Sequence, residues 1–139
     1  MSLALALAVV ISIVDGDSIT VSDTNNTVYN VRLAYIQAPE LGQPFGEDSR
    51  KILGSMITGE RVTVRCPSQN PNGEWVCNVW KEGYDTSRRM INKGGAWVDP
   101  DSDAEKALYR DEKSARTAKK GLWALPESDR AAWAWHRTP

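Results

Sequence analysis

The sequence predicts an α+β fold, a five-stranded barrel with three helices. Three observations carry that expectation. Apolar, β-branched runs near residues 6–14 and 18–22 flank the tight turn Asp15-Gly16-Asp17, and a third run, Thr27 to Ile36, follows the turn-rich Asp23-Thr24-Asn25-Asn26. A helical pattern comes next, then two more strand-like runs across a loop from each other. Three strands in a meander, a helix and two further strands are the order of a small closed barrel.

The first run is the first strand. Ser2 to Val14 is apolar, but it lacks a basic leader region and runs straight into the acidic turn with no cleavage spacer. Met1-Ser2-Leu3 reads as a start that replaces a removed export signal. In the third run, Val31, Leu33 and Tyr35 alternate with Arg32 and Ala34, the period of a half-buried strand. The run stops at Ala38-Pro39, because proline removes a ladder donor and holds its predecessor extended.

Gln37 to Pro44 is a loop with two prolines. A first helix is expected from about Phe45 to Ile57: Glu47 and Asp48 suit its positive end, Ile52, Leu53, Met56 and Ile57 form one apolar face, and Gly59 ends it. Arg61 to Cys66 and Trp75 to Trp80 form a hairpin. A second helix runs from about Thr86 to Lys93 and stops at Gly94-Gly95. A third runs from about Asp101 to Lys120, with Asp101 or Ser102 as cap, Ala104, Leu108 and Ala115 inward, and Gly121 as the stop. The tail, Pro126 to Pro139, carries Trp133 and Trp135 and is expected to pack back onto the body.

At 139 residues the chain has the length of one domain, spanning 1–139, and at 41% hydrophobic it can bury one core. Net charge is −1 and the pI about 5.8, so no global field draws the protein to nucleic acid or an acidic membrane. No stretch is long enough to span a bilayer. A monomer is expected. Cys66 and Cys77 flank the turn-rich segment Pro67 to Gly73. If that segment is a hairpin loop, the two face each other at a separation a disulfide accepts. Their symmetric placement favours pairing, and two free buried thiols are the alternative. A disulfide implies an oxidising compartment, periplasmic or extracellular.

Val14-Asp15-Gly16-Asp17-Ser18, then Arg32-Leu33, then Ala38-Pro39-Glu40 together resemble the signature of the staphylococcal nuclease (thermonuclease-like) family. Gly46-Glu47, Lys93-Gly94-Gly95-Ala96-Trp97 and Ala118-Lys119-Lys120-Gly121-Leu122-Trp123 are similar in order and support it. The resemblance covers nearly the whole chain. It implies an oligonucleotide-binding-type (OB-fold) barrel followed by helices, and calcium-dependent hydrolysis of DNA or RNA.

Such chemistry needs a hard cation on a phosphate oxygen, a group that orients water, and arginines that neutralise developing charge. The resemblance matches Asp17 to a calcium ligand, Arg32 to the arginine that grips phosphate, and Glu40 to the carboxylate proposed as base. The bland alternatives are an Asx-turn residue for Asp17, a surface arginine paired to Glu40 or Asp17 for Arg32, and a loop carboxylate for Glu40. For Asp15 the turn-shaping role is favoured. Ala38 would contribute to the metal only its backbone carbonyl.

Two positions depart from the pattern. Gln37 stands where the family usually has a second metal-binding aspartate, and an amide brings no charge. The family's second catalytic arginine lies in a D-[KR]-Y-G-R turn; the matching segment is Asn70-Pro71-Asn72-Gly73-Glu74, with Glu74 in the arginine's place. One lost transition-state donor costs roughly 3 kcal/mol, and a carboxylate there adds repulsion. The sequence therefore predicts a nuclease-type domain that binds calcium weakly and hydrolyses poorly or not at all. The alternative is a non-catalytic OB-fold module for nucleic acid, another anion or a protein. Trp75 and Trp80 lie where aromatics can stack on bases, although most of the six tryptophans are expected to bury. His136 is read as incidental.

Overall fold

A computed structural model describes residues 2–131 of the protein. In chain order the elements are β1 (Leu3–Asp15), β2 (Ser18–Ser22), β3 (Val28–Leu33), β4 (Ile36–Gln37), α1 (Gly46–Ile57), β5 (Arg61–Gln69), β6 (Trp75–Lys81), β7 (Tyr84–Asp85), α2 (Thr86–Asn92), β8 (Trp97–Val98), α3 (Lys106–Thr117), a 3-10 turn (Gly121–Ala124) and α4 (Glu127–Ala131).

Five strands make the barrel, in the order β3-β2-β1-β5-β6, and a parallel β3–β6 pairing closes it. β1 serves two neighbours, β5 along its first half and β2 along its second. A strand that long must bend to do so. Register shifts at Leu5/Ala8, Val10/Ser12 and Ile13/Asp15 supply the bend. The inward residues Val10, Val21, Val31, Leu33, Val64 and Val79 meet Leu53 and Ile57 of α1 in one apolar cluster. The α+β class and the five-stranded OB-type barrel are those expected.

The helices number four among the described residues rather than three. The extra one, α4, starts straight after Pro126, whose carbonyl accepts the N–H groups of Asp129 and Arg130. Proline is pre-organised for a helix start, a signal hidden when the tail is read as one segment.

Three boundaries also differ. β3 ends at Leu33, because Tyr35 takes a left-handed conformation (φ 72°) that turns the chain, and Ile36–Gln37 then pairs with β8 instead. Side-chain alternation continues through that turn, so the sequence reads as one strand. β5 passes Pro67 to reach Gln69 through a register shift between Arg65 and Ser68, where a missing N–H is tolerated. α3 begins at Lys106, because Asp99 captures the expected caps: its carboxylate accepts the Asp101 N–H, and its carbonyl accepts both the N–H and the hydroxyl of Ser102.

Cys66 and Cys77 form the expected disulfide, with Cα atoms 4.1 Å apart and both residues fully buried. Among the described residues no helix is long and apolar enough to cross a membrane. Trp133, Trp135 and His136, with the expected packing of the tail, lie outside the described residues.

Candidate functional site

The β1–β2 turn is built into the core. Asp15 Oδ1 accepts the Asp17 N–H at 3.0 Å, so Asp15 shapes the turn as expected. Gly16 is required by space: a Cβ there would lie 2.7 Å from that of Ala38 and 2.8 Å from that of Ser49. This close approach directs Asp17 inward, where it is only 2% exposed. Its Oδ2 accepts the Ala38 N–H at 2.9 Å, and its Oδ1 accepts the Ser18 hydroxyl at 3.2 Å. Arg32 Nη2 stands 3.6 Å from Oδ2, consistent with the pairing of Ser18 and Arg32 across β2 and β3. Burial pushes the Asp17 carboxyl up to about 8; Arg32 pulls it down and Asp15 adds to the rise.

The structure thus gathers Asp17, Arg32 and Ala38. Gln37 turns elsewhere. It is opposite Trp97 in the β4–β8 ladder, and its Oε1 accepts the Trp97 indole N–H at 3.2 Å. Glu40 follows two residues after Ala38, its N–H donating to Gln43 Oε1 and its carbonyl accepting the Gln43 N–H. Gly46, first residue of α1, packs directly on that carbonyl, which fixes the loop against the helix.

Glu74 belongs to the β5–β6 hairpin. Its carboxylate accepts from Asn70 Nδ2 at 3.1 Å, its N–H donates to Asn70 Oδ1, and its carbonyl accepts the Asn70 N–H. Asn70 therefore organises the loop and holds the carboxylate. Arg32 is level with Val76 across the β3–β6 pair, so Glu74 sits two residues along the same chain from Arg32's neighbour. A cleft of about 370 Å³ opens beside Arg32. Its walls include Tyr35, Asn70 and Val76, together with Asp99, Asp101 and Asp103 from the turn before α3. Among the described residues lining it, Arg32 is the one cation against three aspartates.

Asn70, Trp97 and this acidic wall were not singled out as site residues by sequence reasoning. The alternation Asp99, Asp101, Asp103, Glu105 was visible, but capping is the commoner use of acids before a helix. Trp75 and Trp80 are both half-buried. Trp75 packs against the core, whereas Trp80 lines a separate groove of about 780 Å³ near the disulfide.

The donors around Asp17 do not fit calcium. That ion takes six to eight oxygens, with carboxylates supplying charge. Here one deeply buried carboxylate already has a donor at each oxygen, and the Gln37 oxygen is committed to Trp97. Among the described residues no group of three or more acidic, histidine or cysteine side chains is placed to hold a metal ion. What the arrangement can do is present a half-buried guanidinium, steadied by Asp17, at the edge of an acidic cleft.

The family model for staphylococcal nuclease homologues matches residues 30–125. An uncharacterised endonuclease of Escherichia coli O157:H7 is 32% identical over 131 residues, covering 92% of this chain and 84% of the relative. A micrococcal nuclease of Shigella flexneri is 32% identical over 148 residues, covering 92% and 79%. A probable staphylococcal-like nuclease of Oryza sativa subsp. japonica is 31% identical over 109 residues, covering 78% of this chain; the chain spans only 33% of that rice protein's length. With the barrel closed as expected and the matched segment running from β3 to the 3-10 turn, the chain belongs to the staphylococcal nuclease homologue family.

Proposed function

We propose that the protein is a nuclease-type phosphodiesterase domain in which calcium-dependent cleavage of DNA or RNA is weakened or lost. The observation that supports this most is the charge beside Arg32. A phosphodiester is anionic and gains negative charge in its transition state, so the site needs surplus cations. Arg32 instead faces Asp17 at 3.6 Å, three aspartates in the cleft wall, and Glu74 held nearby by Asn70. In this reading Arg32 grips the phosphate, Glu40 orients water, and Asp17, Gln37 and the Ala38 carbonyl are the remains of a metal shell. The domain acts as a monomer in an oxidising compartment, periplasmic or extracellular, where the Cys66–Cys77 bond persists.

A second reading is a non-catalytic OB-fold module for nucleic acid, another anion or a protein, and of these the acidic wall favours a protein with a basic surface. A calcium titration with single-stranded DNA, reporting binding and cleavage separately, tests the proposal. The expected result is detectable binding with cleavage near the protein-free rate. Rapid cleavage that saturates with calcium and disappears in Arg32→Ala would overturn it.

A further inference from the structure

The net charge of −1 conceals a strong segregation. Residues 99–105 carry four acids and no base. Residues 106–120 carry six bases, Lys106, Arg110, Lys113, Arg116, Lys119 and Lys120, against Asp111 and Glu112. Both of those acids are engaged with the protein body. Asp111 accepts from Arg88 at 2.6 Å, and Glu112 accepts the Val98 N–H at 2.6 Å.

The outer face of α3 is therefore cationic. Lys106, Arg110 and Lys113 follow one another at spacings of four and three, the repeat of a single helix face. All three are exposed, and none is in an ion pair among the described residues. Tyr109, 42% exposed, lies on the same face between Lys106 and Lys113. Beside it a shallow groove of about 470 Å³ is lined by Arg110, Lys113, Ser114, Thr117 and Ala118. Two cations and two hydroxyls around one concavity suit a phosphate, and an exposed ring suits a base.

We propose that this face of α3 is a binding surface for the phosphodiester backbone of nucleic acid, distinct from the Arg32 cleft. A 12-residue helix is about 18 Å long, enough to meet several consecutive phosphates of one strand. Lipid headgroups are the other polyanionic surface, but membrane docking needs an apolar face to insert. Beside Arg110 and Lys113 the groove is lined by Ser114, Thr117 and Ala118 instead. The inference goes beyond the proposed function, because it requires neither metal nor hydrolysis.

The test is anisotropy with a fluorescent single-stranded 20-mer across a salt series, with cleavage followed separately. The variant Lys106→Ala/Arg110→Ala/Lys113→Ala should bind at least tenfold more weakly, with its salt slope reduced by about 2. Arg61→Ala, which removes an exposed cation outside α3, should bind within twofold of the parent. Lys106→Arg/Lys113→Arg should retain binding, which separates lost charge from lost folding. Unchanged binding in the alanine variant overturns the proposal. So does an equal loss in Arg61→Ala, or tighter binding to phosphatidylserine vesicles than to DNA.

Discussion

Two chain reversals approach Arg32, one through Asp17 and one through Asn70, and they are built differently. The β1–β2 turn is fused to the core: Gly16 packs against Ala38 and Ser49, and Asp17 is buried with donors on both oxygens. The β5–β6 loop is self-contained. Its polar contacts run between Asn70, Glu74 and their neighbours, and Gly73 (φ 84°) has nothing within 4 Å of a hypothetical Cβ. The first turn cannot change without disturbing the barrel, whereas the second can exchange its side chains at little structural cost. The hairpin that carries Glu74 is therefore the freer of the two to change its charge.

The largest effect should come from the base of the hairpin. Its sequence separation of 11 makes the disulfide loop short, and cross-linking should contribute about 3 kcal/mol. Cys66→Ala/Cys77→Ala should therefore lower the melting temperature by roughly 10 °C. Thiol titration of the denatured, unreduced parent should find no free thiol. Two free thiols would remove the hairpin's anchor from the account.

Next come the glycines. Gly16→Ala forces a Cβ into two core side chains and should cost about 2–3 kcal/mol. Gly73→Ala meets only an unfavourable backbone conformation and should cost about 1 kcal/mol. Equal losses in urea melts would erase the distinction between the two turns.

The pH-dependent effect concerns Asp17. Its folded pKa, about 8, lies above its ordinary value of 3.8, so the native state binds the extra proton between those limits. The group's contribution is present below pH 4 and is lost as pH rises through 8. Asp17→Asn removes that loss. Its melting temperature relative to the parent should rise between pH 4 and pH 8.5. A flat difference across that range would mean that Arg32 fully compensates the buried charge.

The barrel strands, α1, α2 and the disulfide were legible because period, turn chemistry and cysteine placement are local signals. Tyr35 hid the end of β3, since a left-handed residue leaves no mark on side-chain alternation. Asp101 and Ser102 looked like caps, and only the fold shows that Asp99 captures both. In the candidate site, Asp17, Arg32 and Ala38 converge from three separate motifs. The bond from Trp97 to Gln37 depends on the β4–β8 register, and the acidic wall on how the turn before α3 folds back past Tyr35. Neither follows from sequence spacing.

The central claim is that an excess of acid beside Arg32 weakens the chemistry, with Gln37 and Glu74 the two departures from the family pattern. Cleavage of single-stranded DNA with calcium by Gln37→Asp/Glu74→Arg, beside the parent, tests it most directly. Aspartate at 37 brings the charge that the amide lacks and is one carbon shorter than the side chain that now accepts from Trp97, and arginine at 74 turns repulsion of the developing charge into attraction. Because both act on one transition state, the gains should be non-additive. The account predicts cleavage at least tenfold faster than the parent. A parent that cleaves efficiently and a double variant that is slower would contradict it, because Glu74 would then belong to a working site.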